Sequence, residues 1–248
     1  MTAINTPTVI VSAAMAVPSG FYRPLTAAFA THGWQARIMP TRGFERGQPT
    51  ASRGNDWSYA TEAQAIADAV ALARRERPDS PVLLLGHSLG SQIGAMHQLH
   101  HPAADGFVVI GASVPWFRNY PRTGLGVLWL GLTVPVAARL CGYVPKPFFG
   151  APGARTLMRE WARFVRTGTP PFDVPRAIAS PSLVVDLAGD TYAVRKATDH
   201  YVRTFLDEEV TERWTYDDPP PGGTTHHVMW GRTPEPVVDR IVTWWSQV

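Results

Sequence analysis

Gly86-His87-Ser88-Leu89-Gly90 sets a serine between two glycines, directly after the apolar run 82–85 and ahead of a stretch with helical spacing that reaches about His100. A serine at a sharp strand-to-helix corner holds its hydroxyl clear of the sheet edge, where it can attack an electrophilic carbon. A Cβ at 86 or 90 would collide where strand and helix pass closest, so both positions require glycine. The start of the helix also presents unpaired N–H groups to negative charge developing beside the serine. A serine hydroxyl is a weak nucleophile until a base takes its proton, and an imidazole base needs a carboxylate to orient it. In an open parallel sheet such groups gather at the carboxyl ends of the strands. Those ends supply Asp190, after the strand-like run 182–187, and the adjacent pair His226 and His227, after the run 210–216. Asp186, within its strand, and Asp199, within the next helix, are weaker acids. Each choice has a plain structural alternative: a turn serine at 88 and a helix-capping aspartate at 190.

The elements that must hold these groups follow from periodicity. Residues 8–13 and 34–39 read as strands, with a helix over 21–32 between them. A long helix over 58–77 carries Ile66, Ala69, Val70 and Ala73 on one face and is stopped by Pro78 and Pro81. Strands at 82–85 and 106–110 flank the serine helix. Later come a strand at 182–187, a helix at 193–206, a strand at 210–216 and a last helix at 234–245. Compact apolar strands alternating with helices predict an α/β fold, a doubly wound and mostly parallel sheet of about six strands. The rhythm breaks over residues 113–181, rich in Pro, Gly, Trp and Phe, with helical stretches near 126–139 and 154–166. The domain expectation is a core of residues 1–112 and 182–248 with 113–181 inserted as a helical cap.

Composition narrows the classes. Hydrophobic residues make up 45% of the 248, ample for a buried core. The single cysteine, Cys141, excludes an internal disulfide and any cysteine-based metal cluster. His97, His100 and His101 share a helix, but no acidic or cysteine cluster accompanies them, so a solvated face is expected there and no metal. The N-terminal residues lack a basic stretch followed by an apolar one. The most apolar run, 125–138, reads as too short to span a bilayer and contains Pro135. A cytoplasmic protein with neither membrane nor nucleic acid as partner is expected. The net charge of +3 hides an asymmetry: nine Lys/Arg against Glu160 and Asp173 over residues 113–176, hence +7, and fourteen against eighteen elsewhere, hence −4.

GHSLG around Ser88, AGDTYA around Asp190 and THHVMW around His227, ahead of a terminal helix, resemble the serine, acid and histidine turns of the α/β-hydrolase superfamily. The chain is similar in particular to a bacterial group whose serine helix reads GHSLGGQ and whose acid turn reads DDxYAP. The order Ser88, Asp190, His227 is the superfamily's order. The resemblance implies Ser88 as nucleophile, Asp190 as acid and His227 as base, since His227 has the group's spacing to a following aromatic, Trp230. It also implies oxyanion donors at the backbone N–H of Leu89 and of Met15, although the usual His-Gly signature is absent beside Met15. Ser91 replaces a second glycine, which is expected to crowd the serine turn, and Gly189 replaces one of two aspartates. The hairpin that often precedes the oxyanion strand is missing. His87 reads as structural.

The inserted segment falls where this fold commonly carries a lid. Trp116, Trp129, Phe148, Phe149 and Trp161, with Trp230, are the candidates for lining a pocket, which favours a largely apolar acyl or polyketide-like substrate. Arg155, Arg159, Arg163 and Arg166 recur on one helical face, opposite Leu157, Trp161, Phe164 and Val165. That face is either solvated or a dock for an acyl carrier protein or a coenzyme A thioester. The function expected is hydrolysis of an ester or thioester without a cofactor. A non-hydrolytic cyclase or lyase on the same scaffold and a non-catalytic binding protein remain open, because fold does not settle reaction.

Overall fold

A computed structural model describes residues 6–248. Six strands, β1 (Thr8–Ser12), β2 (Gln35–Ile38), β3 (Val82–His87), β4 (Gly106–Ile110), β5 (Ser182–Leu187) and β6 (Thr211–Tyr216), form one parallel sheet in the order β2-β1-β3-β4-β5-β6. The four central strands are buried on both faces, as their apolar runs require, except at half-buried Asp186 in β5. Alternate residues feed two cores: Val9, Val11, Leu83 and Leu85 point to one, Ile10, Val82 and Leu84 to the other. On the first face lie α1 (Arg23–Thr31) and α8 (Glu235–Trp245). On the second lie α2 (Tyr59–Glu76), α3 (Leu89–His100) and α7 (Arg195–Phe205). α2 begins where Ser58 accepts the N–H of Thr61 at 3.2 Å, while the Thr61 hydroxyl accepts the N–H of Ser58.

The segment between β4 and β5 forms α4 (Gly124–Cys141), a single turn α5 (Lys146–Phe149) and α6 (Arg155–Thr167). α4 and α6 pack along each other, and the approach is close at Gly131, where a Cβ would meet Val165 and Arg166 at 2.8 and 3.0 Å. α5 is too short for periodicity to reveal. α7 starts two residues later than its spacing suggests, because the Asp190 side chain holds the N–H groups of Tyr192 and Ala193 in a turn of their own. The expectation for the apolar run 125–138 is corrected. The helix continues through Pro135 to Cys141, so it is 18 residues long with a mean hydropathy of 1.6, enough in length and composition to cross a membrane, and only 22% of it is buried.

Candidate active site

β3 ends at His87, and the next residue, Ser88, turns the chain into α3 with φ 55° and ψ −114°. A β-carbon in that conformation is strained, which is the local signature of a side chain held for a purpose. The glycine requirement is severe on both sides. A Cβ on Gly86 would lie 2.6 Å from Ser91 Cα, and one on Gly90 would lie 2.1 Å from the Ser12 carbonyl oxygen. Ser91 does not crowd this turn as expected. Its hydroxyl donates to the Gly86 carbonyl at 2.7 Å and ties helix to strand.

Two distant loops, those carrying His227 and Asp190, converge on the turn at Ser88. The Ser88 hydroxyl lies 2.8 Å from His227 Nε2, and His227 Nδ1 lies 2.6 Å from Asp190 Oδ2. With the imidazole proton on Nδ1, that N–H donates a hydrogen bond to the Asp190 carboxylate, and Nε2 is left to accept from the Ser88 hydroxyl. Asp190 does not cap α7, whose N-cap is Val194; its second oxygen Oδ1 instead accepts from Tyr192 and Ala193 N–H at 2.7 and 3.1 Å and closes the turn ahead of that helix. Burial raises this carboxyl, but the His227 bond and charge and the two N–H donors together outweigh it and hold it below the usual aspartate value. The competing acids are engaged elsewhere: Asp186 pairs with Arg213 at 2.5 Å, and Asp199 with Arg213 and Arg195 at 2.6 and 3.0 Å. His226 is exposed and does not reach Ser88; its Nδ1 accepts from Val228 N–H at 3.3 Å.

His87 does more than fill space. It is buried, its Nε2–H donates to the backbone carbonyl of His227 at 2.7 Å, and its Nδ1 accepts from the Tyr22 hydroxyl at 2.7 Å. Tyr22 in turn accepts the N–H of Ala14 at 3.0 Å. One imidazole thus links the loop after β1 to the loop carrying His227. Burial, then the neighbouring His227, depresses His87 to about 3, so it stays neutral and keeps one donor and one acceptor.

Met15 and Leu89 both border the cavity at Ser88. Leu89 opens α3, so its N–H has no acceptor within the helix. Beside Met15, Ala16 has φ 64°. Ala16 and Ser88 are the two non-glycine residues with positive φ among the described residues. Ser88 borders this cavity, whereas Ala16 lines the adjoining one beside Met39, Trp57 and Leu157.

The cavity over Ser88 measures about 540 Å³. Phe149 and Trp161 line it, with Val127 and Leu130 of α4, Tyr120 and Gln92. Four of the expected lining aromatics are elsewhere. Trp230 is fully buried beneath His87, and Trp116 packs on Phe117 and His200. Trp129 points out of α4, 58% exposed, and Phe148 lies between it and Phe149. Aromatic character reveals burial or packing but not direction, and each of these side chains is aimed by its helix or turn. Nor is the histidine helix a solvated face. His97 is buried with both ring nitrogens unpartnered among the described residues, and burial above all holds it down to about 4. His100 is exposed and bonds the Asp173 carbonyl at 2.8 Å.

Sequence reasoning missed two residues that touch His227. Gly111, just past β4, has φ 56°, and a Cβ there would lie 3.0 Å from His227 Cε1 and 3.1 Å from Nδ1. A glycine at the end of a central strand was the available signal. Tyr192 stacks on the imidazole, with centroids 5.1 Å apart and planes at 29°, while Tyr120 donates to its carbonyl at 2.9 Å.

The fold has solved relatives. An esterase from Exiguobacterium antarcticum superposes with a TM-score of 0.65 at 15% identity, over 98% of this chain and 92% of that one. A soluble variant of monoglyceride lipase from Saccharomyces cerevisiae gives 0.68 at 11% identity, over 97% and 88%. The thioesterase domain from the curacin biosynthetic pathway gives 0.58 at 14%, over 97% and 92%. Identities this low carry the fold alone. No curated protein matches the chain by sequence. Residues 5–146, which run from β1 through the serine turn and α4, match the serine aminopeptidase S33 family. With more than half of its length in that match and this sheet beneath it, the chain belongs to the serine aminopeptidase S33 family and is an α/β-hydrolase.

Proposed function

We propose that this hydrolase cleaves esters or thioesters of largely apolar acyl groups through an acyl-enzyme on Ser88. The observation that carries the reading is the unbroken relay from Ser88 Oγ through His227 to Asp190, at 2.8 and 2.6 Å. Ser88 Oγ attacks the acyl carbon as His227 Nε2 takes its proton, and the carbonyl electrons move onto oxygen. The N–H groups of Leu89 and Met15 receive that oxyanion. Collapse expels the alcohol or thiol, protonated by His227, and leaves the acyl group on Ser88. Water then repeats the sequence with His227 as base, releasing the acid. The Asp190 carboxylate, held low, keeps the ring orientated and balances the imidazolium each time it forms.

The cavity favours this chemistry over removal of N-terminal residues from peptides. No Asp or Glu lines it among the described residues, so a substrate ammonium group would be desolvated there with no anion opposite. Apolar contacts from Val127, Leu130, Phe149 and Trp161 suit an acyl chain instead. The test is turnover of p-nitrophenyl esters of graded chain length, with fluorophosphonate labelling. Wild type should hydrolyse the esters and label. Ser88→Ala should do neither, with kcat lower by about four orders of magnitude or more. Undiminished hydrolysis by Ser88→Ala would overturn the reading.

A further inference from the structure

α4 is apolar on nearly every side, with Arg139 in its last turn as its one charged residue. Its inner residues Gly131, Val134 and Ala138 are buried, and Val127 and Leu130 border the cavity. Its outer residues are bare: Leu125 is 83% exposed, Trp129 58%, Leu132 51%, Val136 56% and Leu140 70%. These five recur every three or four residues and form one stripe along the helix. A helix that is apolar all round normally sits in a protein core or in lipid, and a stripe of this length left in water marks a surface that something covers.

The charges around the stripe indicate what covers it. Arg139 is exposed on α4 beside the stripe, Arg122 precedes the helix and Lys146 follows it. Arg53 donates to the carbonyls of Cys141 and Leu140 at the helix end, at 3.1 and 3.0 Å. On the neighbouring α6, Arg159, Arg163 and Arg166 are exposed, whereas Glu160 turns inward and accepts the N–H of Tyr59 at 2.9 Å. Residues 113–176 carry +7 in all. A second copy placed on this stripe by a twofold axis would press that charge against itself. An anionic lipid surface matches both features, since amphipathic helices bind such surfaces by apolar immersion with flanking cations at the headgroups. Tryptophan, here Trp129, is the residue suited to that boundary.

The stripe is also continuous with the cavity. Trp129 stacks on Phe148 at 6.4 Å, Phe148 on Phe149 at 6.4 Å, and Phe149 meets Trp161 edge-on at 5.8 Å. Phe149 and Trp161 line the space over Ser88. An apolar track therefore runs from the outer face of α4 to the site.

We propose that α4 lies flat on an anionic lipid–water interface, its five outer side chains immersed and the surrounding arginines against phosphate headgroups. The site then draws apolar esters from that surface, a part that rests on the hydrolase reading above. This departs from the sequence expectation of no membrane partner. α4 does not cross the bilayer, because its inner face is packed on α6 and its end is tied by Arg53.

The test is flotation of the whole chain with vesicles of phosphatidylglycerol and phosphatidylcholine, against vesicles of phosphatidylcholine alone. Wild type should float with the anionic vesicles, less with the neutral ones, and less as salt rises. Leu132→Ser with Val136→Ser should lower the partition coefficient about tenfold or more. The same variant should hydrolyse a short soluble ester as wild type does, since neither side chain lines the cavity, which also shows that it folds. Wild type that stays unbound overturns the proposal, as does a variant that floats equally well. In that event a dimer dissolved by the two serines would assign the stripe to a second copy. An acidic carrier protein whose binding needs Arg159 and Arg163 would assign the face to a protein. Flotation reads adsorption without catalysis, so a wild type that floats but hydrolyses nothing sinks the hydrolase reading and leaves the interface standing.

Discussion

Beneath the cavity, Asp190, His227, Ser88, His87, Tyr22 and the Ala14 amide are joined by hydrogen bonds or carbonyl contacts of 2.6 to 3.0 Å. Above it, Val127, Leu130, Phe149 and Trp161 touch the same space through contacts that have no preferred direction. The floor fixes distance and direction together, because each bond weakens steeply when its length or angle changes. The roof fixes only volume and polarity, because apolar burial scales with area. A change in the floor should therefore appear in kcat, and a change in the roof in KM for the substrates that reach it.

The largest effect expected is at the base. His227→Ala should lower kcat by about four orders of magnitude, while His226→Ala keeps most activity. Equal loss in both, measured on one soluble ester, would mean that the loop rather than the ring is what matters. Next comes the bridge. His87→Ala should lower kcat about 10- to 100-fold with little change in KM, since it frees the base loop and the Ala14 loop together. Tyr22→Phe should lose less, and His87→Gln should recover part of the loss, because an amide can still donate to His227 and accept from Tyr22. A fall in thermal stability with kcat unchanged would reduce His87 to a packing residue. The smallest effect belongs to the roof. Trp161→Ala should raise KM several-fold for long-chain esters and leave acetyl esters nearly untouched, about what the loss of a few buried methylene-sized contacts allows. A matching fall in kcat for acetyl esters would erase the distinction between floor and roof.

The same distinction decides what can be read from the chain. Ser88, Asp190 and His227 stand in turns whose geometry demands particular residues, so glycine at 86 and 90 and the order of the three loops were visible in one dimension. Strand positions were legible because the central strands are buried on both faces and leave apolar runs. Trp129 and Trp230 could not be told apart in that way. Both are large aromatics near the site, yet one is aimed outward by α4 and the other is sealed under His87. The direction of an apolar side chain is set by the helix it stands on and the helix opposite, and neither is encoded near the residue. Gly111 went unseen for a related reason: its constraint comes from His227, far along the chain and adjacent only in space.

The bridge through His87 also has a consequence in time. It joins Tyr22, 65 positions earlier, to His227, 140 positions later. Closing such long loops is slow compared with forming a helix, because the chain must be ordered before the contact repays it. As the chain is made from its N-terminus, the serine turn and the Ala14 loop are present long before the segment that carries the base. On the proposed mechanism, Ser88 has no partner to take its proton until β6 and the loop after it are in place. On that mechanism a nascent or partly folded molecule should be chemically silent until the His227 loop docks on His87.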